Sequence, residues 1–236
     1  MGPCAGEPYE GPALEYVDRA VAWAEELGLQ VLLDLHGCPG GESGDAPCGR
    51  HQRPVGKWHW SDWNFPTSLR ALRVLAERYK GRPAVTGLGV CNEPSPNVPL
   101  DKLCHYYDRA VAAVRDAGMS ADQATVVLPA FQRPLHEVAQ MWDGMTQGLH
   151  ANVCFDLHYY HCFGEAWNRM TLAQSLREAE FHAQELRRLP AVVSEWSNAL
   201  GGVAQLGPLE DSQKRALFGA TQLAAYKNAS HGWFFW

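Results

Sequence analysis

Two glutamates stand where buried strands should be ending. Glu93 follows the apolar run "GLGVC" with an asparagine before it, and Glu195 closes "AVVSEW" with a tryptophan after it. An ionised carboxylate out of water is costly unless something pairs with it, so each glutamate marks a site, a surface or a salt bridge. Two carboxylates held across one pocket can break a glycosidic bond. One protonates the leaving oxygen, and the other attacks the anomeric carbon or activates a water to do so. The two must differ in ionisation, and their surroundings set that difference. The competing reading is a pair of strand-end ion pairs with neighbouring arginines. Two such glutamates, one beside Asn92 and one beside Trp196, favour the catalytic reading.

The elements that would position them alternate. Leu14, Val17, Val21, Ala24 and Leu27 recur at helical spacing, and Gly28 is a stop signal. "LQVLLDLHG" is a short apolar run suited to a buried parallel strand. A turn-rich stretch from Gly37 to Phe65 follows. The next helix is expected over 66–79, with Pro66 where its missing N–H does no harm. The beat then repeats. Strands are expected at "AVTGLGVCNE", "ATVVLPAF", "NVCFDLHYY", "AVVSEW" and "GWFFW". Helices are expected at "LDKLCHYYDRAVAAVRDAG", near 135–142, at "TLAQSLREAEFHAQELRRL" and at "DSQKRALFGATQLAAYKN". Six strands alternating with helices imply an α/β fold with a parallel sheet and right-handed crossovers. No internal repeat, low-complexity tract or linker divides residues 1–236, so a single domain is expected.

The polar residues choose between the two folds that fit this order. Asp34 and His36, Asn92 and Glu93, His158 and Tyr160, Glu195, and Trp236 fall at the carboxyl ends of successive expected strands. A doubly wound sheet concentrates its chemistry at one switch point, whereas a (β/α) barrel gathers it from many strand ends onto one face. Groups on at least five strand ends favour the barrel, and no GxGxxG follows the first strand. The net charge of −6 carries no basic nucleic-acid footprint. No apolar run reaches membrane-spanning length. Nine tryptophans suit either flat sugar faces or a large core.

Five short motifs resemble glycoside hydrolase family 5, and most of all its exo-β-1,3-glucanase branch. "DLHGCPGGESG" resembles the histidine-bearing loop after the third barrel strand, and "NEP" at 92–94 the acid/base signature of the fourth. "DLHYYHCF" fits a D-x-H-x-Y-x-x-F pattern on the sixth, "SEWS" at 194–197 the nucleophile strand, and "GWFFW" the eighth. The resemblance implies a (β/α)8 TIM barrel and a retaining double displacement, with Glu93 as general acid/base and Glu195 as nucleophile. Asn92 would hydrogen-bond the sugar 2-hydroxyl. His36 and His158 would line the subsite of the reacting sugar, and Tyr160 would orient Glu195. Trp236 would be the stacking floor. Phe163 is a weaker signal, which would either stack a sugar at the entrance or pack the rim. The substrate implied is a β-1,3-glucan or related β-glucoside, with no metal, nucleotide or other cofactor. Endo-β-glucanase, mannanase and glycosylceramidase are the alternatives within the family, and an inactive carbohydrate-binding relic is the alternative outside it.

The same resemblance implies an incomplete barrel, with about strands 3–8 present. Its first two strands, an arginine on the second that contacts the nucleophile, and the last helix are not matched. An intact parent of this type would meet its glucan outside the cell or at the wall. Several weaker signals stay open. Trp58, Trp60 and Trp63 would either wall the sugar cleft or pack the loop onto the rim. Cys38 and Cys48 flank a Gly/Pro-rich loop and could form a disulfide, although seven cysteines without a CxxC do not make a framework. The count is odd, and Cys4 lies near the start. Arg50, His51 and Arg53 read as solvated loop charges, and Cys91 as core. Cys154, His158, His161 and Cys162 suggest a metal site, but strand alternation puts Cys154 and His158 on one face and His161 on the other. A sequon stands at Asn228-Ala229-Ser230.

Overall fold

The computed structural model describes residues 11, 13–48 and 57–236, so Cys4, Arg50, His51 and Arg53 lie outside the described residues. The elements run α1 (Ala13–Glu26), β1 (Val31–Asp34), α2 (Phe65–Tyr79), β2 (Val85–Gly89), α3 (Leu100–Asp116) and β3 (Thr125–Pro129). Then come α4 (Leu135–Thr146), β4 (Val153–His161), α5 (Gly164–Arg169), α6 (Leu172–Leu186), β5 (Ala191–Leu200) and α7 (Asp211–Tyr226). The five strands pair in chain order and every pair is parallel, giving a curled half-barrel with β1 and β5 at its edges.

Local chemistry sets these elements. Asn64 caps α2 by accepting the Thr67 amide at 3.1 Å, and Pro66 follows in the first turn. A capping box of Thr171 and Gln174 starts α6. The main core lies between sheet and helices. Leu72, Leu88, Leu103, Tyr106, Tyr107 and Leu128 are fully buried there. Inside the curve a small cluster of Leu32, Val127, Cys154 and Val192 fills the bottom. Arg115 ties together the segments leading into β3 and β4, donating to the carbonyls of Met119, Ser120, Ala124, Ala151 and Asn152.

The structure departs from the sequence expectations in several places. "GWFFW" joins β5 through one parallel bridge, Val193 to Trp233, and does not form a full sixth strand. Its main chain still runs beside β5, with Val193 N donating to Gly232 O and Trp236 N to Trp196 O. β5 continues to Leu200, so Glu195 lies within its strand, while β2 stops at Gly89, so Glu93 lies in the loop beyond. Six-residue α5 is too short for a periodicity to declare it.

Cys38 and Cys48 are not joined. The Cys38 thiol lies against Val90 O and the Tyr106 hydroxyl, and Cys48 Sγ donates to Ser43 O at 2.9 Å. Cys91 is buried core, as expected. The sequon asparagine is hydrogen-bonded within the chain and partly exposed. Asn228 accepts from Arg187 Nε and donates to Ala225 O. Trp63 is buried against Phe65 and Tyr106, and Trp58 donates its indole N–H to Gly41 O. The loop tryptophans therefore pack the rim, and none of the three lines the central cavity.

Candidate active site

Alternation along β4 aims Asp156, His158 and Tyr160 at the inside of the curve, where Cys154 also lies. From β5 Glu195 enters the same space, and from the loop after β2 come Asn92 and Glu93. They open onto a cavity of about 810 Å³. All eight residues singled out in the sequence line it: Glu93, Glu195, Asn92 and the two histidines His36 and His158, with Tyr160, Phe163 and Trp236 around them.

Glu93 and Glu195 are both almost wholly buried, and His158 stands between them. His158 Nδ1 lies 2.8 Å from Glu93 Oε1 and 3.6 Å from Glu195 Oε2, and its Nε2 is 3.4 Å from Asp156 Oδ2. Burial pulls the imidazole down, but the hydrogen bonds to Asp156 and Glu93 outweigh it and push His158 up to about 10. The three acidic side chains around His158 thus favour its charged form. The Tyr160 hydroxyl donates to Glu195 Oε2 at 2.8 Å. Burial raises the Glu195 carboxyl, while the charge on His158 and the Tyr160 hydrogen bond draw it back down.

A second polar chain forms the opposite wall. Asp34 Oδ2 holds His36 Nδ1 at 2.8 Å, and His36 Nε2 faces Asn92 Nδ2 at 3.3 Å. The Asp34 hydrogen bond holds His36 above its ordinary value. Trp236 stacks on the His36 ring at 5.8 Å with planes 10° apart, its other face open. Phe163 stands exposed at the entrance, edge-on to Tyr160 at 5.3 Å.

Among the described residues, one oxygen from each of Glu93 and Glu195 and a ring nitrogen of His158 lie within 4.8 Å of one another, a spacing that a cation would also fit. The cysteine–histidine alternative does not assemble, because Cys154 joins the inner apolar cluster and His161 pairs with His182 at 3.1 Å. Sequence reasoning gave no role to three groups. Asp156 is the first residue of the motif "DLHYYHCF", and alternation with His158 could have assigned it one. Phe131 sits edge-on to His158 at 5.8 Å, and nothing in its own neighbourhood signalled that. Glu42 is wholly buried under the loop after β1. Its Oε2 accepts the Cys38 amide at 2.9 Å, and its Oε1 has no partner among the described residues.

The model of the Cellulase family (glycosyl hydrolase family 5) matches residues 6–236. The chain belongs to glycosyl hydrolase family 5. Among relatives, a probable glucan 1,3-beta-glucosidase A of Aspergillus niger is 32% identical over 213 residues, covering 87% of this chain and 48% of the relative. A protein of the same name from Aspergillus terreus is 30% identical over 270 residues, covering 98% and 62%. The chain thus spans about half to two thirds of the length of these curated relatives. Among solved structures, endoglucanase Cel5A of Thermotoga maritima superposes with a TM-score of 0.65 at 16% identity, covering 99% of this chain and 73% of that one. Endoglucanase Cel5A of Pseudomonas stutzeri, solved with cellobiose, gives 0.61 at 18%, covering 94% and 63%. At that identity the likeness is one of fold, and it is the family 5 barrel that the five strands trace in part. Among the described residues, no helix is long and apolar enough to cross a membrane.

Proposed function

We propose that residues 1–236 form one catalytic domain, a partial barrel, carrying the reacting site of a retaining β-glycosidase. The substrate class we infer is a β-1,3-glucan or related β-glucoside, attacked from its end. The observation that carries this reading is the approach of Glu93 and Glu195 to within 4.8 Å, oxygen to oxygen, at the mouth of one cavity. Retaining enzymes hold their carboxyl groups roughly 5–5.5 Å apart, and inverting ones roughly 6.5–9.5 Å to leave room for a water.

In this reading Glu195 attacks the anomeric carbon while Glu93 gives its proton to the leaving oxygen. Glu93 then takes a proton from the water that frees the sugar. Tyr160 and His158 hold Glu195 by one oxygen, leaving the other to attack. Asn92 and His36 meet the sugar hydroxyls, and the open faces of Trp236 and Phe163 take its apolar side. The glucan preference draws on the names of the Aspergillus relatives, and the roles on the family resemblance.

The test is release of sugar from a β-1,3-glucan by the full chain, with product analysis. Glucose alone supports an exo-acting enzyme, and mixed oligomers would make it endo-acting. Binding to insoluble glucan with no sugar released would favour a non-catalytic relic. Glu195→Ala should abolish turnover. Glu93→Ala should harm substrates with poor leaving groups far more than activated aryl glucosides, and equal losses on both would sink the acid/base assignment.

A further inference from the structure

A regular ladder between β4 and β5 would keep Glu195 out of the cavity. Asp156 pairs with Val192 and His158 with Glu195, so two steps along β4 meet three along β5. Val192 lies in the inner cluster and Val193 in the outer core. Strict alternation from there would send Ser194 inward and Glu195 outward to the helices. The extra residue is a β-bulge, a device that re-aims side chains. It lets Ser194 and Glu195 both face inward and returns Trp196 to the outer core.

One side chain clasps that step. Asp156 Oδ1 accepts the Ser194 amide at 3.1 Å, and Oδ2 accepts the Ser194 hydroxyl at 2.7 Å. On the far side of the bulge, Val193 donates its amide to Gly232 O and accepts from Phe234 N at 2.9 Å. The bulge is thus gripped from both neighbours, by main chain on one side and by one buried carboxylate on the other.

We propose that Asp156 is a positioning residue whose carboxylate fixes the Val193–Ser194 bulge and so turns Glu195 into the cavity. It acts through Ser194. The kinetic arm of the test rests on the glycosidase reading, and the geometric arm does not.

The probe is 2,4-dinitrophenyl 2-deoxy-2-fluoro-β-glucoside. A Glu195 oxygen bonds to C1, the C1–O bond breaks, and dinitrophenolate leaves with the electron pair. The fluoroglucosyl ester stays on the chain and is mapped by mass. Asp156→Ala should slow labelling of Glu195 by about a hundredfold, the scale of an ångström's misplacement. Ser194→Ala, which keeps the amide contact, should slow it about tenfold. Asp156→Asn still accepts the amide and should recover most of the alanine loss. The probe concentration giving half the maximal rate should stay near the native one in each.

Hydrogen exchange at the Ser194 amide should quicken at least about tenfold in Asp156→Ala relative to Val127. Native exchange at Ser194 in Asp156→Ala overturns the proposal even where labelling slows, because Asp156 Oδ2 also lies 3.4 Å from His158 Nε2 and the loss would then run through that contact. If the native chain takes no label, the glycosidase reading fails, and exchange at Ser194 alone decides the positioning role. If Asp156→Ala does not fold, Ser194→Ala decides it: slower labelling sustains the proposal and native labelling overturns it.

Discussion

Tyr160 opposes burial at Glu195. Burial raises that carboxyl, and the Tyr160 hydrogen bond is one of the contacts that lower it again. Removing the hydroxyl leaves burial less opposed. Tyr160→Phe should therefore move the acidic limb of kcat/KM to higher pH, because the nucleophile must be ionised, and a pH–rate profile on an aryl β-glucoside reads the shift. An unmoved limb would detach Tyr160 from Glu195. Glu42 supplies a stability counterpart. Burial pushes its carboxyl up to about 7 from the ordinary 4.5, with the Cys38 amide opposing. A raised acid contributes stability that is full below its unfolded pKa and is lost as pH climbs through the folded one. Glu42→Gln should therefore match the native chain at about pH 4 and melt higher than it at about pH 8. Thermal melts at the two pH values check this, and a variant that is less stable at both would show that the carboxylate finds a partner. Glu42 was invisible in the sequence because "GGESG" is an unremarkable turn. Only the folded loop reveals that it closes over the side chain.

At the scale of elements, close approach matters more than propensity. A Cβ on Gly89 would lie 2.8 Å from Asp34 Oδ1, the carboxylate that holds His36. Gly89→Ala should displace Asp34 and destabilise the chain by about 1–3 kcal/mol. The pKa of His36 should also fall, since the Asp34 hydrogen bond is what raises it. Urea unfolding reads the first effect and NMR titration the second. Most helices were legible because apolar periodicity over ten or more residues leaves little choice, and most strands as short apolar runs set between them. The exact end of β5 was not legible. Its overrun to Leu200 and its bulge depend on how many residues of β4 lie opposite, and a single strand's pattern carries no count of its neighbour's. The site residues were legible as types at strand ends. The link from Asp156 to Ser194 was not, because it crosses between strands and neither residue is unusual in its own segment.

Across the whole molecule, protection should fall from the centre of the sheet to its edges. β3 is buried at all five residues with a strand on each side, while β1 has four residues, none fully buried, and one neighbour. Local opening tracks such differences, so amides of Val31–Asp34 should exchange at least about a hundredfold faster than those of Val126–Leu128. Equal rates, read by exchange mass spectrometry, would mean that β1 is held by contacts beyond the described residues. The cysteines then acquire a use that has nothing to do with bonding. Cys38, Cys91, Cys104 and Cys154 are buried at four places, in the loop after β1, in the Glu93 loop, on α3 and inside the curve. Burial drives each thiol above its ordinary value, and only the thiolate reacts readily. An alkylating reagent would meet each one only when its own region opens. The order in which they take up the reagent would be a timetable of how this fold comes apart.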